Sequence, residues 1–464
     1  MSTKTKKILL LCFLFLVSGI SSAGTLDNLL KKHKQTRAIY SILAVDAGSG
    51  RIVYQLNPDK PMIPASNMKL ITSSAALHYL GASYSFETKV GLLGNDLVIV
   101  GGGDPLLGDP KRDSYPCQAA DALMDKIIEV LQKAGISDIG NIIVDTSFFD
   151  SNRVHPSWPR DQLNQWYACE VSGLNFYNNC VHLEAIRNGN RAVLNMTPAN
   201  TYIHLVNQLK LISKGSSAVG AYRNSTPNKL LVKGRLNQKA GFDVAIENPA
   251  GLFASVFNDK LEASGISVQG QLLQKYIQQD GAIRYLVIIK TPIADVLKRC
   301  NTDSLGLAAE CLVKTISAEN TQSRINGEWD HGLKLISRYL DALGASKGLC
   351  ILDDGSGLSR NNRLTTTALV AVLKDMLKSG NSDVFTTSLA IGGESGTIKK
   401  YFHQAPYKGN IIGKTGYISG VRSFSGICKT SKGDIIFSIL TESGNGYTRR
   451  CINEIAQAIY DGKL

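Results

Sequence analysis

Apolar and polar residues follow strand and helix periods at both ends of the chain. Two apolar stretches, 39–45 and 51–54, flank a turn-forming segment and predict a β-hairpin. Residues 66–79 then carry apolar positions at helical spacing and predict a helix. The C-terminal third repeats both patterns, with predicted helices at 305–317, 332–343, 365–378 and 447–460 and predicted strands at 410–412, 424–429 and 434–441.

Between these two regions the pattern changes to short apolar runs separated by glycine turns. The predicted strands are 97–100, 141–145, 181–186, 191–196, 203–208 and 230–235, and the predicted helices are 119–134 and 250–264. Helices packed on an antiparallel sheet at both chain ends, with a strand-rich segment between them, predict an α+β domain interrupted by a large insertion.

The first 23 residues have a different character. Three lysines precede an apolar run from Ile8 to Val17, and small residues follow as far as Ala23. This order is typical of a secretory signal peptide over residues 1–23. The apolar run is too short to serve comfortably as a membrane anchor. We therefore expect a protein secreted across the inner membrane, periplasmic or associated with the cell wall, without a transmembrane anchor.

Charge and cysteine content add to this picture. The formal charge of +13 falls to about +10 without the three signal-peptide lysines, which favours acidic wall polymers or peripheral contact with acidic lipids. Export and the lack of a basic cluster with aromatic residues argue against nucleic acid. Eight of the nine cysteines remain after cleavage, and Cys169 with Cys180 is the favoured local disulfide. Scattered histidines and the lack of a CxxC pair predict no metal site, and we expect no cofactor.

Ser66 and Lys69 are the first candidate catalytic pair. A spacing of three residues places both side chains on one face of the predicted helix. A serine hydroxyl is a weak nucleophile until a base takes its proton, and a lysine can do so when its pKa is lowered. On its own this SxxK pattern is weak, because an exposed serine and lysine on a helix are common.

Two further short motifs change that balance. Ser359-Arg360-Asn361 follows the turn-rich stretch 354–358, and Lys414-Thr415-Gly416 follows the strand pattern 410–413. Each is common alone. In the order SxxK, SxN, KTG they form the motif set of serine penicillin-binding proteins and β-lactamases.

The wider sequence resembles the class C low-molecular-mass penicillin-binding proteins, the D-alanyl-D-alanine carboxypeptidase/endopeptidase family. The matching segments are 64–69, 100–105, 354–360 and 413–416. About 290 residues separate Lys69 from Ser359, and a long insertion after the nucleophile helix is a mark of this class. The resemblance implies a serine β-lactamase/transpeptidase-like catalytic domain built from residues 24–83 and 291–464, with an insertion at 84–290 that forms two smaller domains.

The resemblance also implies roles for these residues. Ser66 would form an acyl-enzyme with peptidoglycan stem peptides or with β-lactam antibiotics, and Lys69 would be its base. Ser359 would relay a proton and Asn361 would orient Lys69. Substrate-binding residues would be Lys414 and Thr415 for the terminal carboxylate, with Gly416 beside them, and the backbone N–H groups of Ser66 and Tyr417 for the oxyanion.

Trp158 and Asp161 match the segment where this class carries a Trp-x-x-Asp pair at the edge of the active site. An acidic side chain there would suit the free amine of a stem peptide, whereas a structural turn with Trp158 in the core is an equal alternative. The chain departs from the family at Ser304-Leu305-Gly306, where the family commonly has Ser-x-Asn, and at 396–400, where it lacks the family's arginine.

Two other functions fit the three motifs less well. A β-lactamase would differ mainly in how quickly water clears the acyl-enzyme, and the large insertion and the lack of a deacylating glutamate motif argue against it. A silent relative that only binds the cell wall would be free to lose the motif residues, which are intact. The sequence therefore predicts an exported serine D-Ala-D-Ala carboxypeptidase/endopeptidase that is inhibited by penicillin.

Overall fold

The computed structural model describes residues 23–111, 120–278, 282–321 and 326–464. The predicted signal peptide lies outside the described residues, apart from Ala23. None of the helices in the described ranges has the length and apolar character needed to cross a membrane.

Helices and strands alternate along the chain largely as the sequence predicts. The helices are α1 (Ala23–Lys32), α2 (Met68–Leu80), α3 (Ala120–Lys133), α4 (Pro249–Ala263), α5 (Ile293–Asn301), α6 (Gly306–Glu319), α7 (Trp329–Ala342), α8 (Thr366–Lys378), α9 (Ser382–Ser388) and α10 (Thr448–Tyr460). The strands of the two chain ends are β1 (Ile39–Asp46), β2 (Ile52–Leu56), β16 (Ala390–Ile391), β17 (Ile411–Ile418), β18 (Val421–Thr430) and β19 (Gly433–Glu442). The strands between them are β3 (Ser85–Leu93), β4 (Asp96–Val100), β5 (Asp138–Ile139), β6 (Ile142–Asp145), β7 (Cys180–Asn188), β8 (Arg191–Thr197), β9 (His204–Leu211), β10 (Ala218–Arg223), β11 (Lys229–Leu236), β12 (Lys239–Ala245), β13 (Ser267–Val268), β14 (Leu272–Gln274) and β15 (Arg284–Pro292).

One antiparallel sheet joins the two ends of the chain. Its strands lie in the order β16–β17–β18–β19–β1–β2. β1 pairs along its whole length with β19, so that Ile39 faces Glu442 and Asp46 faces Ile435. Because β1 precedes the insertion and β19 follows it, a single domain is completed from two distant segments. The predicted α+β class is confirmed.

Helices cover both faces of this sheet. Leu43 and Val45 of β1 pack into a core with α2, α6 and α8, whereas Ile42 and Ala44 pack on the other side with α1 and α10. Successive strand side chains point to opposite faces, so β1 is buried from end to end of its central six residues. Burial of each leucine, isoleucine or valine side chain contributes roughly 1.5–3 kcal/mol.

The insertion contains further sheets around a separate core. Its strands lie in the orders β14–β6–β4–β3–β15, β12–β7–β8 and β10–β11–β9, with a short β13–β5 pair. The apolar faces of α3 and α4 share this core. A segment of the insertion reaches into the main domain, where Phe149, Trp158 and Val171 belong to the core that contains α2 and α6. The inserted segment therefore packs against the domain that contains α2 and α6.

The cysteines correct one expectation. Cys169 and Cys180 are both buried free thiols, so the predicted disulfide between them is wrong. Both side chains pack with apolar neighbours in the main core, where cysteine behaves as a small hydrophobic residue. Burial raises the pKa of Cys169 to about 12 and that of Cys180 well above its usual value, so neither thiol is poised to react.

Candidate active site

The nucleophile turn lies where the chain enters α2. Ala65–Asn67 forms a 3-10 turn and α2 starts at Met68, so the helix begins two residues later than predicted. Ser66 sits half-buried in this turn, and Lys69 lies one turn further on with 2% of its surface exposed. Lys69 Nζ lies 3.2 Å from Ser66 Oγ. The structure thus brings the two residues of the SxxK motif together.

Lys69 is held in a dry environment. Its Nζ also donates a 2.7 Å hydrogen bond to the carbonyl of Ser356. Burial lowers the pKa of Lys69, although the nearby carboxylates of Glu310 and Asp354 oppose that shift. A buried lysine with a lowered pKa holds the free amine at lower pH than an exposed one, and the free amine is the form that can accept a proton from serine.

β17 lies against the nucleophile turn. A Cβ atom on Gly416 would lie 2.9 Å from Ser66 N and 2.2 Å from Ser423 Oγ, so the absence of a side chain permits this close approach. Lys414 is fully buried. Its Nζ donates hydrogen bonds to Ser304 Oγ at 2.8 Å and to the carbonyl of Thr415 at 2.9 Å.

The charge of one motif lysine affects the other. Burial, and then the positive charge of Lys69, lower the pKa of Lys414. The side chain of Thr415 points to the opposite face of β17 from that of Lys414. Its hydroxyl lies 2.8 Å from that of Thr397. Both threonines line the cleft that contains Ser66. The structure therefore brings Thr415 and Gly416 to the nucleophile, with Lys414 enclosed behind them.

Two buried carboxylates shape the loop that holds Lys69. Glu310 accepts hydrogen bonds from the backbone N–H groups of Gly355 (3.0 Å) and Ser356 (2.7 Å). Asp354 accepts from the N–H groups of Gly357 (2.8 Å) and Ser359 (2.7 Å). Buried backbone donors need such partners, so these side chains set the path of the loop and the direction of the Ser356 carbonyl.

Ser359 and Asn361 occupy other positions than their predicted roles require. Ser359 is buried, and its hydroxyl donates to Asp353 rather than to either motif lysine. Asn361 is exposed at the cleft wall, where its amide contacts Ser157 Oγ at 3.3 Å. The side chains of Ser359 and Asn361 therefore bond to Asp353 and Ser157 instead of to the motif lysines. The Asp354 loop turns the Ser359 hydroxyl towards Asp353.

Ser304 is a serine that contacts the second motif lysine, Lys414. It lies two residues before α6, lines the cleft and accepts the hydrogen bond from Lys414. The sequence carried a signal for it, since Ser304-Leu305-Gly306 stands where the family commonly has Ser-x-Asn. Gly306 replaces the asparagine, and a Cβ atom there would lie 3.2 Å from the carbonyl of Tyr167.

Trp158 and Asp161 also differ from the predicted pair of substrate contacts. Trp158 is 3% exposed, and its indole N–H donates a 3.0 Å hydrogen bond to Asp354. The ring therefore lies in the core, as the structural alternative expects, and its contact with substrate stays a prediction. Asp161 is exposed in a 3-10 turn (Arg160–Gln162) whose residue Gln162 lines the cleft.

These elements enclose one cleft of about 1120 Å³. Ser66 and Lys69 open into it, and Tyr417, which is 59% exposed, forms part of its rim. Basic side chains dominate the wall. The charged residues that line the cleft are Lys69, Asp303, Arg360, Arg422, Arg449 and Arg450. The arrangement places a serine hydroxyl beside a buried amine and a positively charged surface, a geometry suited to acyl transfer from an anionic substrate.

A profile of the D-Ala-D-Ala carboxypeptidase 3 (S13) family matches residues 22–459. The chain belongs to this family. It is a serine-type D-Ala-D-Ala carboxypeptidase, and the family predicted from the three motifs is confirmed.

The S13 relatives cover most of the chain. The D-alanyl-D-alanine carboxypeptidase of Actinomadura sp. (strain R39) is 28% identical over 450 residues, which is 91% of this chain and 81% of that protein. The crystal structure of penicillin-binding protein 4 (dacB) from Haemophilus influenzae superposes with a TM-score of 0.80 at 24% identity, covering 94% of this chain and 99% of that one. A structure of the same protein complexed with a novel β-lactam gives 0.75 at 23% identity, with the same coverage. These similarities confirm the predicted transpeptidase-like fold.

Proposed function

We propose that this chain hydrolyses the terminal D-Ala-D-Ala bond of peptidoglycan stem peptides, and the corresponding bond in their cross-links, through an acyl-enzyme on Ser66. The observation that carries this proposal is the 3.2 Å distance between Lys69 Nζ and Ser66 Oγ in a buried environment. Lys69 takes the hydroxyl proton as Ser66 Oγ bonds to the carbonyl carbon of the penultimate D-alanine.

The oxyanion that forms requires hydrogen-bond donors. We assign this role to the backbone N–H groups of Ser66 and Tyr417, and the close approach that Gly416 permits between β17 and the nucleophile turn supports it. Losing one such donor typically costs about 10²–10³ in rate.

The bond to the terminal D-alanine then breaks, and its nitrogen must receive a proton. We assign the relay to Ser304 in place of Ser359, because Ser304 Oγ accepts from Lys414 and lines the cleft. Water finally attacks the ester, releases the shortened peptide and regenerates the Ser66 hydroxyl. Asp161 stays a candidate contact for a substrate amine, given its exposure beside the cleft.

The cellular setting follows from the same proposal. We place the protein outside the inner membrane, in the periplasm or at the cell wall, on the strength of the predicted signal peptide. β-Lactams would act as inhibitors, because they acylate the serine that the peptide acylates.

Labelling with a fluorescent penicillin tests the proposal. We expect wild-type protein to gain the mass of one penicillin and to fluoresce on a gel, and Ser66→Ala to do neither. Wild-type protein should also release D-alanine from a D-Ala-D-Ala peptide, and Ser66→Ala should not. Rapid destruction of penicillin without a lasting adduct would favour a β-lactamase, and neither labelling nor turnover would refute the proposed enzyme.

A further inference from the structure

One region of the cleft carries positive charge that the chain itself leaves unneutralised. Arg422 and Arg449 both line the cleft, as Thr415 does. Among the described residues, neither arginine forms an ion pair. The acid in the described cleft wall is Asp303, which is already paired with Arg299. A buried or half-buried cation without a counter-ion is costly, so this region favours an anionic ligand.

Arg449 is the more enclosed of the two. Its Nη1 atom is buried and has no hydrogen-bond partner within the described residues. Burial, and then the positive charge of Arg422, lower the pKa of Arg449 to about 10. An arginine guanidinium presents a planar set of donors that matches a carboxylate. A carboxylate bound here would give this guanidinium the partner that it lacks.

Strand register places Arg422 on the same face of the sheet as Thr415. In the β17–β18 ladder Arg422 lies opposite Tyr417, and Phe424 lies opposite Thr415. Side chains two residues apart on one strand lie on the same face of the sheet, and so do residues directly opposite each other on neighbouring strands. Thr415, Tyr417, Arg422 and Phe424 therefore share one face. Phe424 packs against α10 on that face, and Arg449 lies in the first turn of α10. β18 and α10 therefore pack together on the sheet face that carries Thr415, and both contribute an arginine to the cleft.

Lys414 points to the opposite face and is not available to the substrate. Its side chain is 0% exposed. Its ammonium group already donates to Ser304 and to the carbonyl of Thr415. A carboxylate in the cleft would thus meet the Thr415 hydroxyl but not the Lys414 ammonium. A cation from another element has to supply the charge.

We propose that Arg449, supported by Arg422, is the cation that pairs with the C-terminal carboxylate of the substrate, while Lys414 serves the Ser304 relay. This assignment rests on the proposed function, since it concerns the carboxylate of the D-Ala-D-Ala end. It gives α10 a direct part in substrate selection. It also changes the predicted role of Lys414 from a contact with the carboxylate to a contact with the relay serine.

The test compares two substrates with the same acyl group. One is diacetyl-L-lysyl-D-alanyl-D-alanine, and the other is the ethyl thioester of diacetyl-L-lysyl-D-alanine, which has no carboxylate. For Arg449→Ala we expect kcat/KM for the peptide to fall about 10- to 100-fold, the range expected for loss of a charged hydrogen bond. For the thioester, kcat/KM should change by less than about threefold, because this substrate has no carboxylate to pair with the arginine.

Three further variants sharpen the result. Arg449→Lys keeps the charge and should retain part of the peptide activity. Arg422→Ala should lose less than Arg449→Ala, because Arg422 also stacks on Tyr417, with 3.7 Å between guanidinium carbon and ring centroid. Arg338→Ala, an exposed arginine outside this cleft, removes the same charge elsewhere and should leave both substrates unchanged.

Each outcome separates this proposal from the proposed function. An equal fall for peptide and thioester in Arg449→Ala would mean a structural role and would overturn the assignment. Unchanged peptide kinetics in both Arg449→Ala and Arg422→Ala would also overturn it, while leaving the Ser66 mechanism intact. Wild-type protein that turns over neither substrate would refute the proposed function, and this assignment with it.

Discussion

The indole N–H of Trp158 donates a 3.0 Å hydrogen bond to Asp354, 196 residues later in the chain. Trp158 belongs to the insertion, and Asp354 anchors the loop whose Ser356 carbonyl accepts from Lys69. Trp158 also packs edge-on against Trp329, with 6.0 Å between ring centroids. The insertion is thus in contact with the elements that hold Lys69.

Replacing Trp158 by phenylalanine tests this contact. The ring contacts largely remain, but Asp354 loses a buried donor, which should lower the free energy of unfolding by about 1–3 kcal/mol. We expect slower penicillin acylation in parallel, measured with urea denaturation and a labelling time course. An unchanged stability together with a raised KM for peptide would instead indicate direct substrate contact.

Glu310 should matter for stability and acylation together. Glu310→Ala leaves two backbone N–H groups and the Trp329 indole N–H, which donates at 2.8 Å, without an acceptor. We expect a loss of about 3 kcal/mol or more in urea denaturation, because each buried unsatisfied donor costs roughly 1–3 kcal/mol. Glu310→Gln keeps an amide oxygen as acceptor and should retain more of the stability and of the acylation rate than Glu310→Ala. Equal stability of Glu310→Ala and wild-type protein would contradict this role.

The pH profile of acylation reports on Lys69. The neutral amine is the reactive base, so the rate rises as pH increases through the pKa of Lys69. Burial lowers that pKa below the 10.5 of a free lysine, so the midpoint of the rise should lie below 10.5. Glu310→Gln removes a charge that raises the pKa of Lys69, and should move the midpoint to lower pH. Acylation rates with penicillin across pH 5–11 give both midpoints, and a shift upward would contradict the assignment.

Ser304 and Ser359 form a matched pair of variants. Ser304→Ala removes the hydroxyl that contacts Lys414 and should slow acylation about 10²-fold or more, within the range for acid–base groups. Ser359→Ala removes a bond to Asp353 and should mainly lower stability, by about 1 kcal/mol. Penicillin acylation and urea denaturation of both variants distinguish the roles. The opposite ranking would restore Ser359 as the relay.

Local sequence was sufficient for the elements and the central pair. Ser66 and Lys69 are three residues apart, and a single turn of helix fixes their contact whatever surrounds it. The hairpin of residues 39–56 follows equally from its two apolar stretches and the turn between them. The predicted start of α2 is two residues too early, because the chain enters the helix through a 3-10 turn that begins at Ala65, where φ is +46°.

The sequence by itself determined the family, the order of elements and the pairing of Ser66 with Lys69. Only the tertiary structure decided which serine meets Lys414, because Ser304 and Ser359 both precede helices in suitable contexts and lie 110 and 55 residues from it. It likewise decided that Trp158 faces the core and that Arg449 reaches the cleft. Those outcomes depend on the packing of distant segments. The sequence pattern of one segment does not show which surface of another segment it will contact.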